Sequence, residues 1–493
     1  MIKKHLLILC LLFCSAAANA SFIFNKNCAD AYNAILSLKM TEARQIIQLE
    51  KKQNPQNGMT ILLDNYVDYF SLLASDSKAD YEKLKDNKSG RISALEDNTD
   101  QKSPYYLYAQ AEVYLQWGLC KGRFGDYMSS ASDIKKAGNL FKENAQKFPD
   151  FLPNQKGIAL VNVVFGSIPS NLKSITQFLG MKGDAQLGIK QMEQLRVELP
   201  KTKYSYLKDE VVFFVCYIDI DLLHHKNNYD KLISYISGMD NQSLLKTYLQ
   251  GYVAAKTAHN EDAIRFLEDS PESAQYIKLP AIYYLLGNAK LNRMDTDAPN
   301  ALNKYLREYK GVNFIKDTYL KLGYFYLLHN DNEKYQYYLK LVRTKGYTAD
   351  EKDKQALKEA NDVRPDSDLL KARFYFDGGY YLKALAQLKN KNVYSLRLQR
   401  DKIELYYRLG RIYENTDNTN DALINYQQTI NLGKATTYYY AANAALRIGS
   451  IFEQKKDYTR AANFYHQAID MKDHEYEKSI ENDAKEGLKR MNR

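Results

Sequence analysis

The side chains best suited to catalysis or metal binding are few, and their spacing withholds the chemistry they could do. Seven histidines occur, and His224 and His225 are adjacent. Neighbouring positions on a helix point to different sides, so this pair cannot offer two ligands from one face as a His-Glu-x-x-His motif does. Gly122-Arg123-Phe124-Gly125 lacks the lysine and the length of a phosphate loop, and no Gly-x-Ser-x-Gly elbow is present. Clusters such as Asp417-Asn418-Thr419-Asn420 imitate a calcium loop without its glycine and its distal bidentate glutamate. Carboxylates at helical spacing are plentiful and read as solvated faces or caps. The expectation is a protein that is not an enzyme, with no catalytic, cofactor or metal residue to name.

The elements that would position any binding residue are therefore the main signal. Between Ile403 and Ile469 one helical pattern is written twice. Tyr406, Leu409, Gly410, Tyr413, Ala422 and Tyr426 form the first copy, and Ala445, Ile448, Gly449, Phe452, Ala461, Tyr465 and Ala468 the second. The glycines lie 449 − 410 = 39 residues apart. This resembles the tetratricopeptide repeat, a helical hairpin of roughly 34 residues. Small residues recur upstream at Gly251, Gly287, Gly323 and Ala372, with Ala263 and Ala384 on the second helices. The longer interval from Gly323 to Ala372 is absorbed by an additional charged helix, opened by a capping box at Thr348-Ala349-Asp350-Glu351 and running to about Asn361. Asn260-Glu261-Asp262, Asn330-Asp331-Asn332 and Lys456-Asp457 are expected to turn tightly and cap the helix that follows.

The predicted fold is all-α, a tetratricopeptide-like solenoid of helical hairpins wound as a right-handed superhelix. We divide it into residues 1–20, a cleaved signal; 21–200, a divergent helical-repeat region; and 201–493, a repeat array clearest over 403–470. First helices of such an array line a concave groove. Groove positions fall on Tyr284, Asn288, Tyr324, Tyr407, Arg411 and Glu414, which are the partner-binding candidates.

A second resemblance begins with Phe165-Gly166-Ser167-Ile168-Pro169, Leu172, Phe178 and the turn Leu179-Gly180-Met181-Lys182-Gly183-Asp184, followed by Gly188. Glycines at 180 and 183 allow a tight turn with positive φ before a helix capped by Asp184. This bend resembles the inclusion-body-clearance type of tetratricopeptide protein and its bacterial relatives, over roughly Cys28 to Leu195. The resemblance implies helical-repeat proteins that handle protein aggregates or lipid stores, with no catalytic residues to carry over.

Composition agrees with helices. Ten prolines and twenty-three glycines disfavour a turn-rich sandwich or a low-complexity chain, and forty-two tyrosines supply bulky apolar bodies with polar tips. The net charge of +10 is spread along the chain without a dense basic block, which argues against a nucleic-acid partner. Lys3-Lys4-His5, the apolar run from Leu6 to Phe13 and Ala18-Asn19-Ala20 make a secretory signal cut after Ala20. Cys14 is a poor lipidation site because bulky Phe13 precedes it. The apolar runs Gly157 to Phe165 and Val211 to Ile220 are too short to span a bilayer and read as buried first helices. The expected location is the periplasm or cell envelope of a Gram-negative-type bacterium. Of Cys28, Cys120 and Cys216, either one pair is bridged, Cys28 to Cys120 being the first choice, or all are lone buried thiols. The function expected is an exported scaffold that holds a protein or peptide in its groove; the alternative is a cell-envelope glycan binder whose tyrosines stack on sugar rings.

Overall fold

The computed structural model describes residues 21–98, 100–168, 180, 183–223, 225 and 227–491. The signal at 1–20, most of the turn around Gly180, and His224 lie outside the described residues. What is described is helical; its one β-type bridge pairs Ser21 with Asn57. Helices adjacent in sequence pack as tetratricopeptide-like hairpins: Pro104–Arg123 on Tyr127–Lys147, Ile315–Leu328 on Asn332–Thr344, Gln399–Glu414 on Thr419–Gly433, and Tyr440–Gln454 on Tyr458–Asp470.

The doubled pattern explains its own packing. Ile403, Tyr407 and Gly410 share one face of their helix, and Ala422, Tyr426 and Ile430 share the facing one; all are buried. A Cβ built on Gly410 would stand 2.6 Å from the Tyr426 ring, and one on Gly449 would stand 2.7 Å from Tyr465. The glycines are thus slots for aromatic rings, and the alanines opposite, Ala422 and Ala461, are fully buried.

The turns follow the expected chemistry. Asn330, Asp417 and Lys456 adopt left-handed φ near 60°. Asp331, Asn418 and Asp457 then accept hydrogen bonds from the amides of Lys334, Asp421 and Arg460, capping the next helix. Asp184 caps its helix through the Leu187 amide at 3.0 Å. Gly180 has φ +63°, whereas Gly183 serves close approach, since its Cβ would lie 2.4 Å from the Gly166 nitrogen. The additional helix spans Glu351–Asn361, but its cap is Asp350 and not Thr348, with the Asp350 carboxylate accepting from the Lys352 and Asp353 amides. A carboxylate already placed next to the first turn wins over a hydroxyl further out.

Two compact units form. One comprises the described residues of Met1–Thr257, Asp262–Leu285 and Lys304–Val312; the other comprises those of Ala258–Glu261, Leu286–Asn303 and Asn313–Arg493. This division differs from the boundary we drew at residue 200, because regularity of pattern and density of packing are separate criteria.

The first unit buries a polar knot that the sequence reading did not identify. Lys156 is wholly buried; its ammonium donates to Glu210 at 2.7 Å and to the Tyr66 hydroxyl at 2.8 Å and forms an ion pair with Glu112 at 3.0 Å. Tyr66 donates onward to Glu112 at 2.9 Å, and Tyr32 donates to Glu210. Burial pushes the Glu210 carboxyl up despite Lys156. Burial also works against charge on Lys156, but the two carboxylates outweigh it and hold its pKa above the ordinary range. A relay leads outward: Gln116 donates to Glu112, Asn65 donates to Gln116, and the Trp117 indole donates to Asn65 at 2.8 Å.

The three cysteines are free and buried, which corrects the Cys28–Cys120 pairing. Cys28 instead donates to the Ile23 carbonyl at 3.5 Å. Burial pushes its thiol up to about 11 and that of Cys120 to about 12. Cys216 is raised by the same cause. Among the described residues no helix is long and apolar enough to cross a membrane; the run at Val211 is instead buried, in the helix Lys208–Tyr217.

Candidate functional site

In the second unit, residues from several successive helices converge on a cleft of about 90 Å³. Glu359, in the last turn of Glu351–Asn361, accepts from the Arg373 Nη1 at 3.0 and 3.2 Å and from the Tyr324 hydroxyl at 2.6 Å. Burial pushes the Glu359 carboxyl up, but the Arg373 guanidinium and these hydrogen bonds outweigh it and leave the pKa below the ordinary range. Arg400 donates to Asp362 at 2.8 Å and to the Val363 carbonyl at 3.1 Å, and Arg408 donates to Glu404 at 2.6 Å. Each guanidinium is aimed by its own carboxylate. Nε and Nη2 of Arg373 bond to no described residue, so planar donors remain toward the cleft.

Tyrosines form the rest of the wall. Tyr438, Tyr439 and Tyr440 open the helix Tyr440–Gln454, with the rings of Tyr439 and Tyr440 4.5 Å apart. Tyr439 also meets Tyr476 edge-on at 5.3 Å. Tyr476 comes from the turn after Tyr458–Asp470, where Asp473 and Tyr476 both hold left-handed φ, +59° and +57°. That turn is tied down by the Glu475 amide, which donates to the Thr437 carbonyl at 3.1 Å, and by an ion pair between Lys358 and Glu475. Two strained non-glycine residues held this firmly point to a constrained position for the Tyr476 ring. Guanidinium donors, carboxylates and aromatic faces line the cleft.

Of the six expected groove residues, the structure places Tyr324 in this cleft. Tyr407 stands behind it: the ring packs on Tyr439 and Tyr440, and the hydroxyl donates to Asn443 at 3.0 Å and accepts from Arg411 at 3.1 Å. The Arg411 guanidinium lies over the Phe376 ring at 4.9 Å. Glu414 accepts from Tyr426 at 2.5 Å and from Arg447 Nε at 3.0 Å, bracing neighbouring hairpins. The contacts of these three are thus made within the chain, between neighbouring hairpins, and they do not line this cleft. Tyr284 is buried against Tyr305, and Asn288 is partly buried one turn further on the same helix. Arg373, Arg400, Arg408 and Tyr439 were missed. The tyrosine triplet at 438–440 was the available signal; the arginines belong to separate helices and share no local motif.

No family model matches the chain, and neither does any curated protein. Among solved structures it is similar to a chain in the crystal structure of the APC/C hetero-tetramer Cut9-Hcn1, at 13% identity over 94% of this chain and 95% of that one, with a TM-score of 0.28. It is also similar to a human IFIT1 dimer with PPP-AAAA, at 13% identity over 85% of this chain and 97% of that one, with a TM-score of 0.32. Likenesses this loose add no argument, and the fold rests on the helix pairing itself.

Proposed function

We propose that the chain is a binding scaffold that holds a segment of a protein partner in the tyrosine and arginine cleft of its second unit. The observation that carries this reading is the convergence of Arg373, Arg400 and Arg408 with Tyr324, Tyr439 and Tyr476 on one cleft. Planar donors suit the carbonyls and carboxylates of an extended chain, and the rings suit its apolar side chains. Tyr476, 40% exposed, stands at the edge and suits a photo-crosslinking replacement. The expected result in cells is a protein adduct at position 476 that disappears when Tyr439→Ala is added. An adduct indifferent to Tyr439→Ala, or one carrying glycan alone, would overturn the scaffold reading, the latter in favour of glycan binding.

Export is part of the same proposal, as is kinship of the N-terminal region with the inclusion-body-clearance type of repeat protein. Ser21, which the expected cut would make the first residue, donates its amide to the Gln56 carbonyl at 3.1 Å and accepts from the Gly58 amide at 2.8 Å. N-terminal sequencing of protein recovered from the cell envelope is expected to start at Ser21; recovery of the uncut chain from the cytosol would refute export.

A further inference from the structure

The first unit contains a second, larger cleft of about 650 Å³, built independently of the one just described. Its floor is apolar: Leu72 from the helix Met59–Ser75, Leu84 from Lys78–Leu84, and Ile277 and Pro280 from the segment before Ala281–Arg293. Its rim carries Arg44, Lys83, Lys278, Arg307 and Lys310. Three carboxylates also line it. Asp68 is already engaged by Arg91 at 2.5 Å and by Arg44 of the rim at 3.9 Å, which leaves Asp80 and Glu308 against Lys83, Lys278, Arg307 and Lys310. Lys83, Lys278 and Arg307 are exposed, and their side-chain nitrogens have no ion-pair partner among the described residues.

Hydrogen bonds between separate segments fix the walls. Helix Met59–Ser75 ends at Asp76, a buried residue with φ +51°. Its carboxylate accepts from Arg123 and from the Tyr309 hydroxyl, which pins the stretch bearing Arg307 and Lys310. On the other side, the Ile277 amide donates to the Leu38 carbonyl at 2.9 Å and fixes the backbone next to Lys278.

We propose that this cleft docks an extended polypeptide segment in which carboxylates flank apolar side chains. The apolar floor gives leucine-sized groups a dry seat, and the cationic rim meets the acids on either side. A nucleic-acid backbone fits less well, because it has no apolar groups for the floor and would meet Asp80 and Glu308 with its phosphates. A lipid surface, being flat, would touch the rim and leave the floor empty.

The test is fluorescence anisotropy on the whole chain with a labelled nine-residue peptide of three Asp-Asp-Leu repeats. The expected result is saturable binding, weakened at least tenfold by the double substitution K83E/R307E and lost when serine replaces the leucines. Both substituted residues are exposed, and unchanged Trp117 emission would certify the fold. Equal affinity for the double variant, no binding of the acidic peptide, or tighter binding of a nine-base single-stranded DNA would each overturn the proposal. Variants of Arg408 or Tyr439 are expected to leave this binding unchanged, which separates it from the cleft of the second unit.

Discussion

Lys156→Met is expected to destabilise the first unit by about 3–5 kcal/mol at neutral pH, the usual cost of leaving a buried charge without its partner. The substitution removes two hydrogen bonds and an ion pair and leaves Glu112 and Glu210 without their cation in a site with almost no solvent. Trp117 is the only tryptophan, is buried, and is joined to the knot through Asn65, Gln116 and Glu112, so its emission reports urea unfolding of this unit. The deficit should shrink as pH falls, because the orphaned carboxyls then take up protons. The neutral triple variant K156M/E112Q/E210Q should regain most of the loss, since a buried ion cluster contributes less than its breakage costs. A single-variant loss below about 1 kcal/mol would show that the charges are not confined as described.

The second large effect has the opposite sign. Asp353 is fully buried, and its carboxyl is pushed up to about 8, first by burial and then by the Asp350 carboxylate. One oxygen accepts from the Asp317 amide at 2.9 Å, and the other has no hydrogen-bond partner. The folded protein thus binds a proton that the unfolded chain, with an ordinary aspartate near about 4, releases across the intervening pH range. In that window the stability of the natural protein falls as pH rises, by at most about 1.4 kcal/mol per pH unit, and it levels off above 8. Asp353→Asn keeps the carbonyl for Asp317 and turns an amide donor toward Asp350, with no proton to lose. The variant should therefore gain on the natural protein by about 1–2 kcal/mol between pH 5 and pH 7, read from urea curves followed by circular dichroism. Parallel curves for the two proteins would refute the assignment.

Both effects come from residues whose meaning was not legible locally. The hairpin at Ile403 to Ile469, the cap at Asp184 and the additional helix to Asn361 could be read in advance because each depends on neighbours within one or two helical turns. Lys156 sits at the edge of an apolar run, and its partners come from helices far away in sequence. The arginines of the cleft are equally ordinary until stacking of helices aligns them. The placing of Tyr407, Arg411 and Glu414 outside the cleft has the same root: an offset states which side of a helix a residue occupies, but not how much of that side the next hairpin covers.

The free thiols have a consequence for where this fold can exist. Cys28, Cys120 and Cys216 are buried and protonated at neutral pH, so among the described residues no disulfide holds the fold together and no exposed thiolate invites one. The described packing therefore holds without a disulfide to form or to reduce, so it can be assembled among glutathione and kept among oxidants.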